Sequence, residues 1–190
     1  MNPAVLLLYW LNFAAIGALP AVFFKNDGRF NALWWLTAAP FFLCPLILSA
    51  VFLGYISPFV FGSGLVNHLL ELVSVCFSAA SLALLFFTLG THRIPIALWH
   101  QKNDAPRHIV TYGAYQRIRH PFYASFLLAF IGAFFAAPHG ATLAVLLYAA
   151  LIMNLTAAKE ENRLRRSEFG AEYESYMRAA GRFWPKRTPS

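Results

Sequence analysis

Five apolar stretches fill most of this sequence, and Glu71 is the only Asp, Glu, Lys or Arg inside any of them. They run from Pro3 to Phe24, Ala32 to Ile56, Leu65 to Leu89, Pro121 to Ala137 and Ala141 to Ala158. A run of about 20 apolar residues is long enough to cross the hydrocarbon of a bilayer, and there it must satisfy its peptide groups internally as a helix. Each stretch is therefore predicted to be a transmembrane helix. The last two are short and are separated only by Pro138-His139-Gly140, which predicts a tight turn between antiparallel helices. Pro40 and Pro45 are expected to kink or locally unwind the second.

Composition agrees with a bilayer as the main solvent. Hydrophobic residues make up 59% of the chain and charged residues 12%, against about 25% charged in an ordinary soluble domain. The expected fold is an all-α polytopic membrane helix bundle forming a single domain. Three helices lie in residues 1–89, while residues 90–190 carry the hairpin 121–158 and a polar tail. The N-terminal stretch lacks a basic flank and is long for a signal peptide's apolar region, so it is expected to be retained as the first span. Cys44 and Cys76 lie in apolar runs without CxxC spacing, which predicts neither a disulfide nor a metal site.

The basic residues set an orientation. With five spans, Lys25 and Arg29, then Arg93 to Arg119, then Lys159 to Arg187 all fall on one side. The positive-inside rule makes that side cytosolic and puts the N-terminus outside. The net charge of +7 flanks apolar spans and accompanies no nucleic-acid recognition motif, so membrane lipids with anionic headgroups are the expected partners, and nucleic acid is not.

Two polar segments, 90–120 and 159–190, thus meet at the cytosolic face, and the fourth and fifth spans should bring His120 close to Glu160. Pro121 suits the first turn of a helix, where its missing N–H would have had no partner. The open amides of that turn, with Arg119 beside them, form a receptor for a carboxylate or phosphate. Glu160 and Glu161 could hold hydroxyls, an amine or a cation. Phe169, Tyr173 and Tyr176 fall at helical spacing, as an interfacial stripe or the cover of a site. The plainer reading makes the arginines membrane anchors and the aromatic residues an interfacial belt. Glu71, with His68 one turn earlier, reads as structural or as a lipid or ion contact. His92, His100 and His139 have no role legible in the sequence.

The order of His108, Gly113 and Tyr115, then Arg119-His120-Pro121 with Tyr123, then Glu160-Glu161 with Leu164, then Phe169-Gly170, Tyr173, Tyr176 and Pro185 resembles the isoprenylcysteine carboxyl methyltransferases and related phospholipid methyltransferases. The resemblance covers roughly residues 90–190. It implies S-adenosylmethionine as methyl donor, held by His108, Val110, Gly113, Tyr115, Arg119, His120, Pro121, Tyr123, Glu160 and Glu161. The implied reaction is displacement at the sulfonium methyl by a nucleophile of a lipid-like or hydrophobic small-molecule acceptor. In it Arg163 would orient an acceptor carboxylate, and His120 or Glu161 would take a proton from an amine or thiol. The same tail also resembles sterol-reductase-like proteins that use NADPH. A non-enzymatic lipid-binding protein is the third reading.

Overall fold

The computed structural model describes residues 1–17, 28–59, 61, 63–91 and 109–186. Among them are six α-helices: α1 (Pro3–Gly17), α2 (Ala32–Phe52), α3 (Gly64–Thr91), α4 (Pro121–Ala136), α5 (Gly140–Arg165) and α6 (Gly170–Ala179). A short 3-10 turn, Gly113–Gln116, precedes α4, and no β-strand occurs among the described residues. The secondary structure of the described residues is all helical, as the long apolar runs predict. Residues 18–24 of the expected first span, and His92, His100 and His108, lie outside the described residues.

Three segments are long and apolar enough to cross a membrane: Trp34–Phe52, Gly64–Thr91 and Gly140–Arg165. Helices α1 and α4 are apolar but have 15 and 16 residues, or roughly 24 Å at most against a hydrocarbon thickness of about 30 Å. Pro40 and Pro45 do not end α2, which remains one helix from Ala32 to Phe52. Ser49 donates to the Pro45 carbonyl at 2.8 Å and accepts from the Trp10 indole at 3.0 Å, so a side chain beside the proline pair ties α2 to α1. Helix α5 continues past the apolar stretch ending at Ala158, which makes Lys159 to Arg165 helical.

Polar rungs fix how α1 lies on α3. Tyr9 donates to the Ser74 carbonyl at 2.9 Å, and Asn12 donates to Ser78 Oγ at 2.9 Å while accepting from Ser81 Oγ at 3.2 Å. All five side chains are buried. Their ascending order makes the two helices parallel, and sliding either would leave a buried amide or hydroxyl unpaired. Gly132 of α4 faces the same seam, where a Cβ would strike the Tyr9 hydroxyl and approach Phe77 Cβ to 2.9 Å.

Contacts also define the two ends of the bundle. At one, Phe59 N–H donates to the Pro138 carbonyl at 2.7 Å and the Phe59 ring stacks on His139. There His139 Nδ1 accepts from Ala141 N–H at 3.0 Å, so the expected breaker cluster is an ordered N-cap for α5. Glu71 accepts from Asn2 N–H at 3.0 Å, joining the start of α1 to α3. The other end gathers Thr91, the 3-10 turn, the start of α4 and the end of α5.

Candidate active site

Segment 109–120 is held at this second end by backbone and hydroxyl contacts. Thr91 Oγ1 accepts from Ala114 N–H at 3.2 Å. Gly113, just before it, has φ +59°, and a Cβ there would collide with the Thr91 side chain. Val110, Ala114 and Tyr115 form a small buried cluster. The Tyr176 hydroxyl of α6 donates to the Tyr115 carbonyl at 2.5 Å. Of the stripe predicted from Phe169, Tyr173 and Tyr176, the two tyrosines therefore face inward, where both rings are buried with Ala180 against Ile109 and Leu164, whereas Phe169 is half-buried at the cap of α6.

After α6 the chain doubles back as a strap, residues 180–186, alongside segment 117–120. Gly181 N–H donates to the Arg117 carbonyl at 3.0 Å, Arg119 N–H to the Gly181 carbonyl at 2.8 Å, and His120 N–H to the Arg182 carbonyl at 3.0 Å. Gly181 is required for this turn, since a Cβ there would run into the Trp184 carbonyl. Lys186 Nζ donates to the Met177 carbonyl at 2.7 Å, near the C-terminal end of α6.

Glu161 is the hub of the charged groups. Its Oε1 accepts from Arg119 Nε at 3.1 Å and Nη2 at 2.8 Å, lies 3.2 Å from His120 Nε2, and accepts from Arg182 Nε at 3.1 Å. Its Oε2 accepts from Arg182 Nη2 at 2.5 Å. The Glu161 side chain is 3% exposed and that of Arg119 7%. Arg119 also donates through Nη1 to the carbonyls of Met177 and Ala180, so it ties α4, α5 and α6 together. The sequence reading places it as a receptor for a ligand anion, but in the structure its guanidinium is engaged by protein acceptors. Burial works against ionisation of Glu161, yet the hydrogen bonds from His120, Arg182 and Arg119 outweigh it and hold the carboxyl well below the usual carboxylate range.

Glu160, one residue earlier, is placed differently. It accepts from the Tyr123 hydroxyl at 2.8 Å and lies 3.5 Å from His120 Nδ1, and its side chain is 23% exposed. The expected proximity of His120 and Glu160 is thus present in the fold. Burial by itself would lower the proton affinity of His120, but hydrogen bonds to Glu160 and Glu161 and their charges raise it above the ordinary imidazole value. The His120 and Tyr123 rings stack with centroids 5.5 Å apart, and Phe183 of the strap meets both edge-on at 6.1 and 6.4 Å.

Tyr115, Arg119, His120, Pro121, Phe122, Tyr123 and Glu160 line a small cleft that is partly open to the surroundings. Pro121 occupies the first turn of α4, and no side chain caps that helix. Val110 and Gly113 shape the turn that carries Tyr115 but do not line the cleft. Arg163 is exposed and makes no side-chain hydrogen bond or ion pair among the described residues. Three contributors escape the sequence reading: Arg182, Phe183 and Asn154, which accepts from Arg182 Nη1 at 2.7 Å. Asn154 has a signal, being a polar residue within an apolar span. Arg182 has none, because it reads as one more basic residue of the tail.

The fold and site together define an apolar helical bundle with a half-open, aromatic-walled cleft of opposed charges at one end. No family model matches the chain, and no curated protein or solved structure matches it.

Proposed function

We propose that this chain is an integral membrane methyltransferase that takes S-adenosylmethionine in the cleft and methylates a lipid-like or hydrophobic small molecule. The observation carrying this reading is the convergence of Tyr115, His120, Tyr123 and Glu160 on one cleft from three separate stretches of chain. They are the residues whose order resembles the membrane methyltransferases. On this reading five helices cross a cytoplasmic membrane, the N-terminus lies outside, and the cleft faces the cytosol.

The donor set suits such a cofactor. Glu160, beside the rings of Tyr115 and Tyr123, offers a carboxylate and aromatic faces to a cation. The amides of the first turn of α4 offer donors to a carboxylate. When bound, the cofactor supplies a methyl group already activated by its sulfonium. The protein then has to orient the partners and exclude water. Glu160 holds an amine or hydroxyls, Tyr123 fixes the carboxylate of Glu160, and Phe183 shields His120 and Tyr123.

Proton affinities favour an acceptor that needs no base. His120 lies between two carboxylates that raise its affinity for a proton, while both oxygens of Glu161 already accept hydrogen bonds. A carboxylate acceptor therefore fits better than an amine, and Arg163, exposed at the end of α5, is available to orient it.

Calorimetric titration of the detergent-solubilised protein with S-adenosylmethionine tests the proposal, beside a Glu160→Ala variant and an NADPH control. Saturable binding weakened at least about tenfold in the variant is expected. NADPH binding without S-adenosylmethionine binding would move the protein to the reductase class.

A further inference from the structure

Glu161 Oε1 has several donors around it, whereas Arg182 Nη2 is the only donor to Oε2 among the described residues. Two guanidinium groups thus answer one carboxylate, which in turn touches His120 Nε2. Arg182 is fixed on its other side by Asn154, and its neighbour Phe183 packs against the rings of His120 and Tyr123. The groups facing His120 are Glu160 and Glu161 from α5, Tyr123 from α4 and Phe183 from the strap, with Arg119 and Arg182 reaching it through Glu161.

We infer that Arg182 is a positioning residue for the cleft: by neutralising Glu161 it governs the charge that His120 faces, and it pins Phe183 against the cleft's aromatic wall. The functional part of this inference rests on the cleft being the ligand site proposed above. The electrostatic part does not. Without Arg182, Oε2 loses its donor, and Glu161 is answered only by Arg119 and by the titratable ring of His120. Its proton is then held more tightly.

A purely structural staple behaves otherwise. Its loss lowers stability and leaves the titration of His120 where it was. The deciding experiment is NMR titration of histidine-labelled, ligand-free protein in detergent, with the His120 signal identified by its loss in His120→Gln. In Arg182→Gln the His120 midpoint is expected to rise by about one pH unit, and S-adenosylmethionine affinity to fall about tenfold. In Arg182→Lys a single ammonium cannot serve both carboxylate oxygens, so the midpoint rises by about half a unit. An Arg182→Gln midpoint equal to that of the wild type overturns the inference. If that variant does not fold, Arg182→Lys decides alone, and its wild-type midpoint overturns the inference equally. Wild-type protein that binds no S-adenosylmethionine removes the proposed function, while the ligand-free titration still tests Arg182.

Discussion

Glu160 and Glu161 are adjacent in sequence but have different surroundings. Glu161 is enclosed by Arg119, Arg182 and His120, whereas Glu160 meets Tyr123 and His120 at the cleft. Replacing Glu161 by Gln strands two guanidinium groups, one of them buried, and is expected to cost about 3 kcal/mol of stability, read from chemical or thermal denaturation. Replacing Glu160 should leave the melting temperature within a few degrees and act on ligand binding instead. The two carboxylates and His120 also set a pH dependence. His120 binds its proton more tightly when folded, so its contribution is complete below about pH 6.5 and is lost as pH rises through its raised value. Glu161 works in the opposite sense, contributing above the ordinary carboxylate range and failing only as pH falls through its depressed value. Melting temperatures from about pH 6 to about pH 9 should therefore decline, and His120→Gln should flatten the decline. The sequence makes both glutamates and Arg119 visible as candidates. It does not separate their surroundings, because the separation depends on Arg182, 21 residues beyond Glu161.

Helices were the most legible elements. Apolar runs mark α2 and α3 to within a few residues, because a helix whose outer face is apolar shows itself in composition alone. Helix α5 outruns its apolar part since Lys159 to Arg165 are good helix formers or tolerated residues with nothing to break the turn before Ser167. The 3-10 turn and the strap were not legible, as both are defined by backbone contacts with distant residues. Gly113 shows the difficulty. It resembles a cofactor-binding glycine by position, yet its left-handed backbone and its contact with Thr91 place it in the support of the Tyr115 turn. Gly113→Ala is expected to cost about 1–2 kcal/mol from the backbone alone and to loosen ligand binding through Tyr115. Thermal melting and calorimetry on the same preparation separate the two effects.

Across the whole molecule, the contact between Phe59 and Pro138 gathers two connections at one end, and the Arg119–Glu161–Arg182 group marks the other. The proposed topology turns this into an accessibility pattern. In a Cys76→Ser background, where the remaining Cys44 is buried, a cysteine at Ser57 should react with a membrane-impermeant maleimide on intact cells. One at Ser175 of α6 should react only after permeabilisation. The reverse pattern would invert the orientation. Arg182 also bears on the order in which the protein is made. Arg119 and Glu161 emerge from the ribosome before it, and all six helices are synthesised by the time the strap appears. Until then one oxygen of Glu161 waits for its partner and the rings of His120 and Tyr123 lack Phe183 against them, so the cleft is completed only after the helices that carry it have been made.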